Sequence, residues 1–244
     1  MLKRDSILGE QLRIAFALAL SLSFGFYCLD WFNAARFAAG RPFTDIGMGW
    51  ETAIALRPGW VWVYFLYFPV CFLPLFLPEV RRDIAVFRRT ALGYAVQFVV
   101  AGFFFFLIPL RMARPELTSS TLSLAALQWV YAIDPGFNIF PSLHVANTAF
   151  LACMAWKFRG RLAGLCLWTI CLLISVSAML VKQHYFWDIP SGLLLGAAGY
   201  RLAFASAVGD LLAHTGAAKN ALQVRPESFE SGEVGRARLR VEKT

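Results

Sequence analysis

Several stretches of this chain are so poor in polar groups that they are stable as structure only across a lipid bilayer. Six such stretches can be read, over residues 12–31, 60–77, 90–110, 142–156, 162–181 and 186–208. About 20 apolar residues cross the hydrocarbon core, where each backbone N–H and C=O must be paired within the segment, as a helix does. The expected fold is therefore all-α: a polytopic membrane bundle of about six transmembrane helices. Composition agrees, with 59% of the 244 residues apolar and 16% charged, against about 25% charged in an ordinary soluble domain. The first stretch is long and lacks a clear small-residue cleavage site, so it reads as a retained helix rather than a signal peptide. Residues 1–208 then make one six-helix transmembrane domain, and residues 209–244 a polar, mixed-charge cytoplasmic tail expected to be disordered.

The basic residues give an orientation. With the N-terminus in the cytoplasm, Arg36, Arg41, Arg57, Arg111, Arg114 and Lys182 fall outside, and the other 17 of the 23 fall inside. That asymmetry follows the positive-inside rule. The net charge of +8 then reads as topology and contact with anionic headgroups rather than nucleic-acid binding, for which no module is visible. The five cysteines (Cys28, Cys71, Cys153, Cys166 and Cys171) lie in apolar stretches, without disulfide or metal-ligand spacing, and read as small buried hydrophobes. No internal repeat is visible, which disfavours the repeat-built transporter folds. Residues 36–58 form an external loop with room for a short interfacial helix. Residues 118–130 read as an amphipathic segment lying in the interface.

Ionisable residues are costly near a bilayer, so those placed there are functional candidates. Of the three histidines, His214 belongs to the tail and reads as a surface residue, whereas His144 and His184 stand at span ends on the outer side. His184 and Asp188 are four apart, so on a helix they would share a face, the carboxylate fixing the imidazole tautomer. An exposed i,i+4 pair at a helix start is the plainer reading of those two residues. Pro141-Ser142-Leu143-His144 opens a span, and a helix start offers unpaired N–H groups to an anion, with Ser142 as cap or phosphate donor. Arg111, Arg114 and Lys182 emerge on the same side. Guanidinium and ammonium groups bind phosphate, although they also snorkel at span ends. Two histidines, a carboxylate and three cations from separate spans suit attack on phosphorus and protonation of a leaving oxygen.

These residues carry a resemblance. The chain resembles the type-2 phosphatidic acid phosphatase superfamily of lipid phosphatases and phosphotransferases, whose marks are Lys-x6-Arg-Pro, Pro-Ser-Gly-His and Ser-Arg-x5-His-x3-Asp. Arg114-Pro115 matches the end of the first mark, residues 141–144 match the second, and Ser177, His184 and Asp188 match the third. The resemblance implies that His184 carries the phosphoryl group as a phosphohistidine, that Asp188 orients it and that His144 protonates the leaving alkoxide. It also implies that Arg114, Ser142 and the backbone near Leu143 cradle the phosphate, and that no metal or other cofactor is needed. Leu107 and Ala178 stand where the family has Lys and Arg, and Leu143 where it has Gly, so Arg111 and Lys182 are the expected substitute phosphate ligands. The forms Phe-Pro-Ser-Leu-His and His-Tyr-Phe-Trp-Asp are most similar to the inositol phosphorylceramide synthase-like branch. The expectation is transfer of a phosphate-linked headgroup between lipids, with lipid phosphate hydrolysis as the alternative. The expected partners are a lipid with a phosphate-containing headgroup and the bilayer. The expected setting is a bacterial inner membrane, both termini cytoplasmic and the site periplasmic. A transporter lined by His184, Asp188 and Lys182, or a metal site on His144, His184 and Asp188, are the rivals.

Overall fold

The computed structural model describes residues 4–118 and 121–211. His214 and residues 212–244 of the tail lie outside the described residues. The described residues are α-helical, with short 3-10 turns and one isolated bridge between Thr44 and Leu110. Four segments are long and apolar enough to cross a membrane: Ile7–Ala38, Pro58–Phe76, Ile84–Leu107 and Arg161–Leu180. They correspond to four of the six stretches read from the sequence. The remaining two correspond to helices of 17 residues each, Leu143–Arg159 and Asp188–Phe204.

Two of the long segments differ from their expected form. The first helix, α1 (Arg4–Ala38), runs beyond residue 31 because its polar end is satisfied by neighbours. Asn33 Nδ2 donates to the Phe105 carbonyl at 3.0 Å and approaches Asn138 Oδ1 at 3.4 Å. The second is not one helix. It is a 3-10 turn (Pro58–Trp60), α2 (Val61–Tyr64), α3 (Tyr67–Phe72) and a further 3-10 turn (Leu73–Phe76). Pro58, Pro69 and Pro74 each lack the N–H that a continuous α-helix needs, so the run breaks into short pieces.

A short helix, α4 (Pro78–Arg82), leads into α5 (Ile84–Leu107), which Asp83 caps by accepting from Ala85 N at 2.8 Å. Arg88 and Arg89 therefore sit within the helix start rather than in a loop, paired with Glu10 and Asp210. The segment expected to be amphipathic forms α6 (Leu122–Ile133), an apolar helix with Leu127 and Val130 buried and Leu122 and Trp129 exposed.

The centre is α7 (Leu143–Arg159), which packs on α8 (Arg161–Leu180) and α9 (Asp188–Phe204) and buries ten of its residues. Gly192 and Gly196 let α9 approach α7 closely. A Cβ at Gly192 would lie 2.7 Å from the Ser142 carbonyl oxygen, and one at Gly196 2.3 Å from that of Ala146. Small residues four apart are a common means of close helix contact in membranes. Here they bring the first turns of α7 and α9 side by side. The cysteines divide: Cys171 is buried, whereas Cys28 and Cys166 are exposed on helices whose outer faces are apolar.

Candidate active site

The start of α7 and the turn before α9 carry most of the polar groups singled out in the sequence. Ser142 caps α7, its Oγ accepting from Val145 N at 3.4 Å, and its own N–H donates to the Asp188 carbonyl at 3.1 Å. Asp188 is the first residue of α9 and is fully buried. His184 and Asp188 do not share a helical face. Lys182 adopts a left-handed φ of 53°, ending α8, and residues 183–187 form a turn. Gln183 N and His184 N both donate back to the Ala178 carbonyl, closing the helix end. Within the turn, Asp188 Oδ2 accepts from His184 Nδ1 at 3.0 Å and from Tyr185 N at 2.9 Å.

With Asp188 as a carboxylate, which only accepts, the His184 proton lies on Nδ1 and the lone pair on Nε2. His184 Nε2 then faces Ser142 Oγ and His144 Nδ1, each at 3.1 Å. The far nitrogen of His144 meets the Tyr64 hydroxyl at 2.7 Å, and Tyr67 packs on the His144 ring at 4.3 Å between centroids. Such an array can hold a nucleophilic imidazole nitrogen beside a second imidazole able to donate a proton. Among the described residues no group of three His, Cys, Asp or Glu is arranged to hold a metal ion.

The cations are placed unequally. Arg114 donates to the Asp134 carbonyl, to Asp134 Oδ1 at 3.4 Å and to Gln183 Oε1 at 2.8 Å, tying the 134–138 loop to the residue before His184. Lys182 donates to the Glu51 carbonyl at 3.1 Å and shares a pocket with His184. The structure does not bring Arg111 to the histidines. Leu110 and Met112 are buried on either side of it, in an extended segment whose side chains alternate, so the Arg111 guanidinium points away and lies 3.8 Å from the Phe37 ring centroid. Leu107 is exposed at the end of α5. Ala178 is buried, and the Ser177 hydroxyl donates to the Ile174 carbonyl within α8. Leu143 opens α7 and packs with Ala101, Phe105, Ala146 and Leu195.

The two neighbouring histidines line different cavities, His144 one and His184 the other. One, of about 420 Å³, is mainly apolar and runs between α1, α2–α3 and α5, from His144, Tyr64 and Asp134 down to Val80 and Ala15. Along α1 its lining extends from Ala15 to Tyr27, about 18 Å of helix. The other, of about 530 Å³, lies under the outer loop and is richer in polar groups, with Asp45, Glu51, Thr52, Lys182, His184 and Tyr185 lining it beside Met48, Leu56, Met112 and Met179. Glu51 pins this loop over the active turn, Oε1 accepting from Phe186 N at 2.6 Å. Burial and the Asp45 carboxylate push the Tyr185 phenol up to about 12, so it faces the pocket as a neutral hydroxyl.

Tyr64, Tyr67, Glu51 and Asp134 were not legible as site residues. The i,i+3 spacing of Tyr64 and Tyr67 was the one available signal, and aromatic residues are too common in membrane helices for it to stand out.

An all-helical membrane chain with this histidine–aspartate array belongs to the PAP2 superfamily, which matches residues 55–209, well over half of its length. That makes it an integral membrane protein of the lipid phosphatase and phosphotransferase type. No curated protein and no solved structure gives a significant match.

Proposed function

We propose that this chain is a six-span enzyme that moves a phosphate-linked headgroup from one lipid to the hydroxyl of another, through a phosphohistidine at His184. The observation that carries the reading is that two adjacent histidines line different cavities, His144 the mainly apolar one and His184 the one richer in polar groups. A lipid phosphate ester bound at the histidine pair has its chains on the His144 side and its headgroup on the His184 side. His184 Nε2 attacks phosphorus while Asp188 holds the Nδ1 proton. The bond from phosphorus to the lipid oxygen breaks, and His144 Nδ1 gives that oxygen its proton. A second lipid hydroxyl then attacks phosphorus, returns a proton to His144 and releases His184.

Ser142, the first N–H groups of α7, Lys182 and Arg114 stabilise the phosphoryl oxygens in this scheme, with Arg114 exchanging part of its hold on Asp134 for phosphate. Arg111 lies outside the proposed set. The chemistry assigned here uses the chain's own side chains and backbone N–H groups and calls for no metal. Helices α7 and α9 supply the fourth and sixth crossings, residues 1–208 form the catalytic domain, and residues 209–244 a cytoplasmic tail. On the charge asymmetry, both termini face the cytoplasm of a bacterial inner membrane and the site faces the periplasm.

The pocket beside His184 gives water the same line of approach as an acceptor, which supports hydrolysis of phosphatidic acid, phosphatidylglycerol phosphate or polyprenyl pyrophosphate as the second reading. Headgroup release by purified protein, with and without diacylglycerol, ceramide or polyprenol, separates the two. Transfer predicts a new headgroup lipid and release that rises with acceptor. Undiminished release to water, whichever acceptor is supplied, leaves hydrolysis. Full activity in His184→Ala would remove both.

A further inference from the structure

The reading above assigns no role to Tyr64, yet its hydroxyl makes the shorter of the two polar contacts to the His144 imidazole, at 2.7 Å from Nε2. We infer that Tyr64 is a positioning residue for proton transfer, keeping His144 Nδ1 aimed at the reacting oxygen in both protonation states of that imidazole. The inference rests on the phosphohistidine reading and adds a residue that no motif contains. Tyr64 is 2% exposed and is set in a packed wall of Val61, Leu127, Val130, Ala178 and Val181. Its ring lies 5.0 Å from that of His144. Tyr67 covers the imidazole too, but its hydroxyl accepts from Asn147 Nδ2 at 2.9 Å. Tyr64 is thus the phenol placed to serve Nε2.

A hydroxyl both donates and accepts, which a backbone carbonyl or a carboxylate does not. At rest, the contact from His144 Nδ1 to His184 Nε2 calls for a proton on Nδ1, because His184 Nε2 carries a lone pair. If His144 is neutral, its Nε2 accepts from the Tyr64 O–H. If it is an imidazolium, Nε2–H donates to the Tyr64 oxygen. In the first half-reaction the imidazolium gives its Nδ1 proton to the leaving alkoxide as the P–O bond breaks and the P–N bond to His184 forms. The Nε2 proton stays on the ring and on Tyr64. In the second half-reaction the acceptor O–H gives its proton to Nδ1 as its oxygen bonds phosphorus and the P–N bond breaks. Tyr64 keeps its own proton throughout: it accepts from Nε2–H at each stage of the cycle and turns to donate only when the neutral resting imidazole carries its proton on Nδ1. A ring without the hydroxyl leaves Nε2 unpaired in a buried site, which weighs against the charged acid form.

The test uses the full chain in detergent micelles and two synthetic lipid phosphodiesters of matched chain length. One loses an alkoxide, which needs a proton to leave. The other loses p-nitrophenolate, which does not. Single-turnover release is followed for wild type and Tyr64→Phe, a variant that keeps the packed ring. We expect alkoxide release to fall about tenfold and nitrophenol release to stay within about twofold, which also reports an intact fold. Equal losses on both probes would mean a structural role and overturn the inference, as would unchanged alkoxide release. Absence of His184-dependent release from wild type on both probes would instead sink the phosphohistidine reading beneath it.

Discussion

His144 and His184 are the same kind of side chain 3.1 Å apart, but the chain holds them by different means. His184 sits in a non-helical turn, 4% exposed, with a buried carboxylate on one nitrogen and backbone bonds securing the turn on both sides. His144 sits in the first turn of a regular helix, with a phenol on its far nitrogen and two tyrosine rings against its faces. A carboxylate partner fixes one tautomer and raises the basicity of the opposite nitrogen, which suits a group that must stay a nucleophile. A phenol partner tolerates either charge, which suits a group that must gain and lose a proton. On the proposed mechanism the two surroundings divide the labour between identical side chains, and each histidine lines a different cavity.

That contrast can be broken most sharply at His184. His184→Ala is expected to reduce turnover by about 10⁴-fold or more, on alkyl and aryl leaving groups alike, because the covalent step is lost. Acid-labile labelling of the protein by a phosphate-labelled substrate checks it, and labelling that persists in this variant would contradict the assignment. His144→Gln should separate the two roles. Release of an alkoxide is expected to fall about 10²- to 10⁴-fold while nitrophenol release and labelling at His184 largely survive. Equal loss on both substrates would erase the distinction drawn here. The smallest effects concern the two arginines and are read as thermal unfolding in detergent. Arg114→Ala removes the partner of Asp134 at a mostly buried position and is expected to cost about 3 kcal/mol. Arg111→Ala loses an exposed contact with Phe37 worth about 1 kcal/mol or less. A reversal of that order would place the structural weight on the wrong cation.

Helical membrane architecture and superfamily were legible in the chain because both rest on local properties. Long apolar runs have no alternative in lipid, and motif spacing along a helix or a tight turn survives any packing. The 60–77 run was read as one span, and only the structure shows it broken into short pieces at Pro58, Pro69 and Pro74. Polar residues at the span ends stood out against apolar surroundings, and this marked His144, His184 and Asp188 without giving their mutual distances. Those distances depend on Gly192 and Gly196 letting α9 settle against α7, and on a left-handed Lys182 turning the chain before His184. Neither effect is visible in a list of residue types.

The cations show the limit most plainly. Arg111 and Arg114 are three apart and of the same type, yet alternation in an extended segment sends one to Phe37, while Asp134 and Gln183 draw the other toward the active turn. Tyr64 lies 80 residues before the histidine it touches. Residue types and their spacing thus decide the class of chemistry a chain can perform, since charge and hydropathy are properties of the residues themselves. Which groups meet, and on which side of a ring, is decided by long-range packing, where a single close helix contact or one turn of backbone redirects every side chain beyond it.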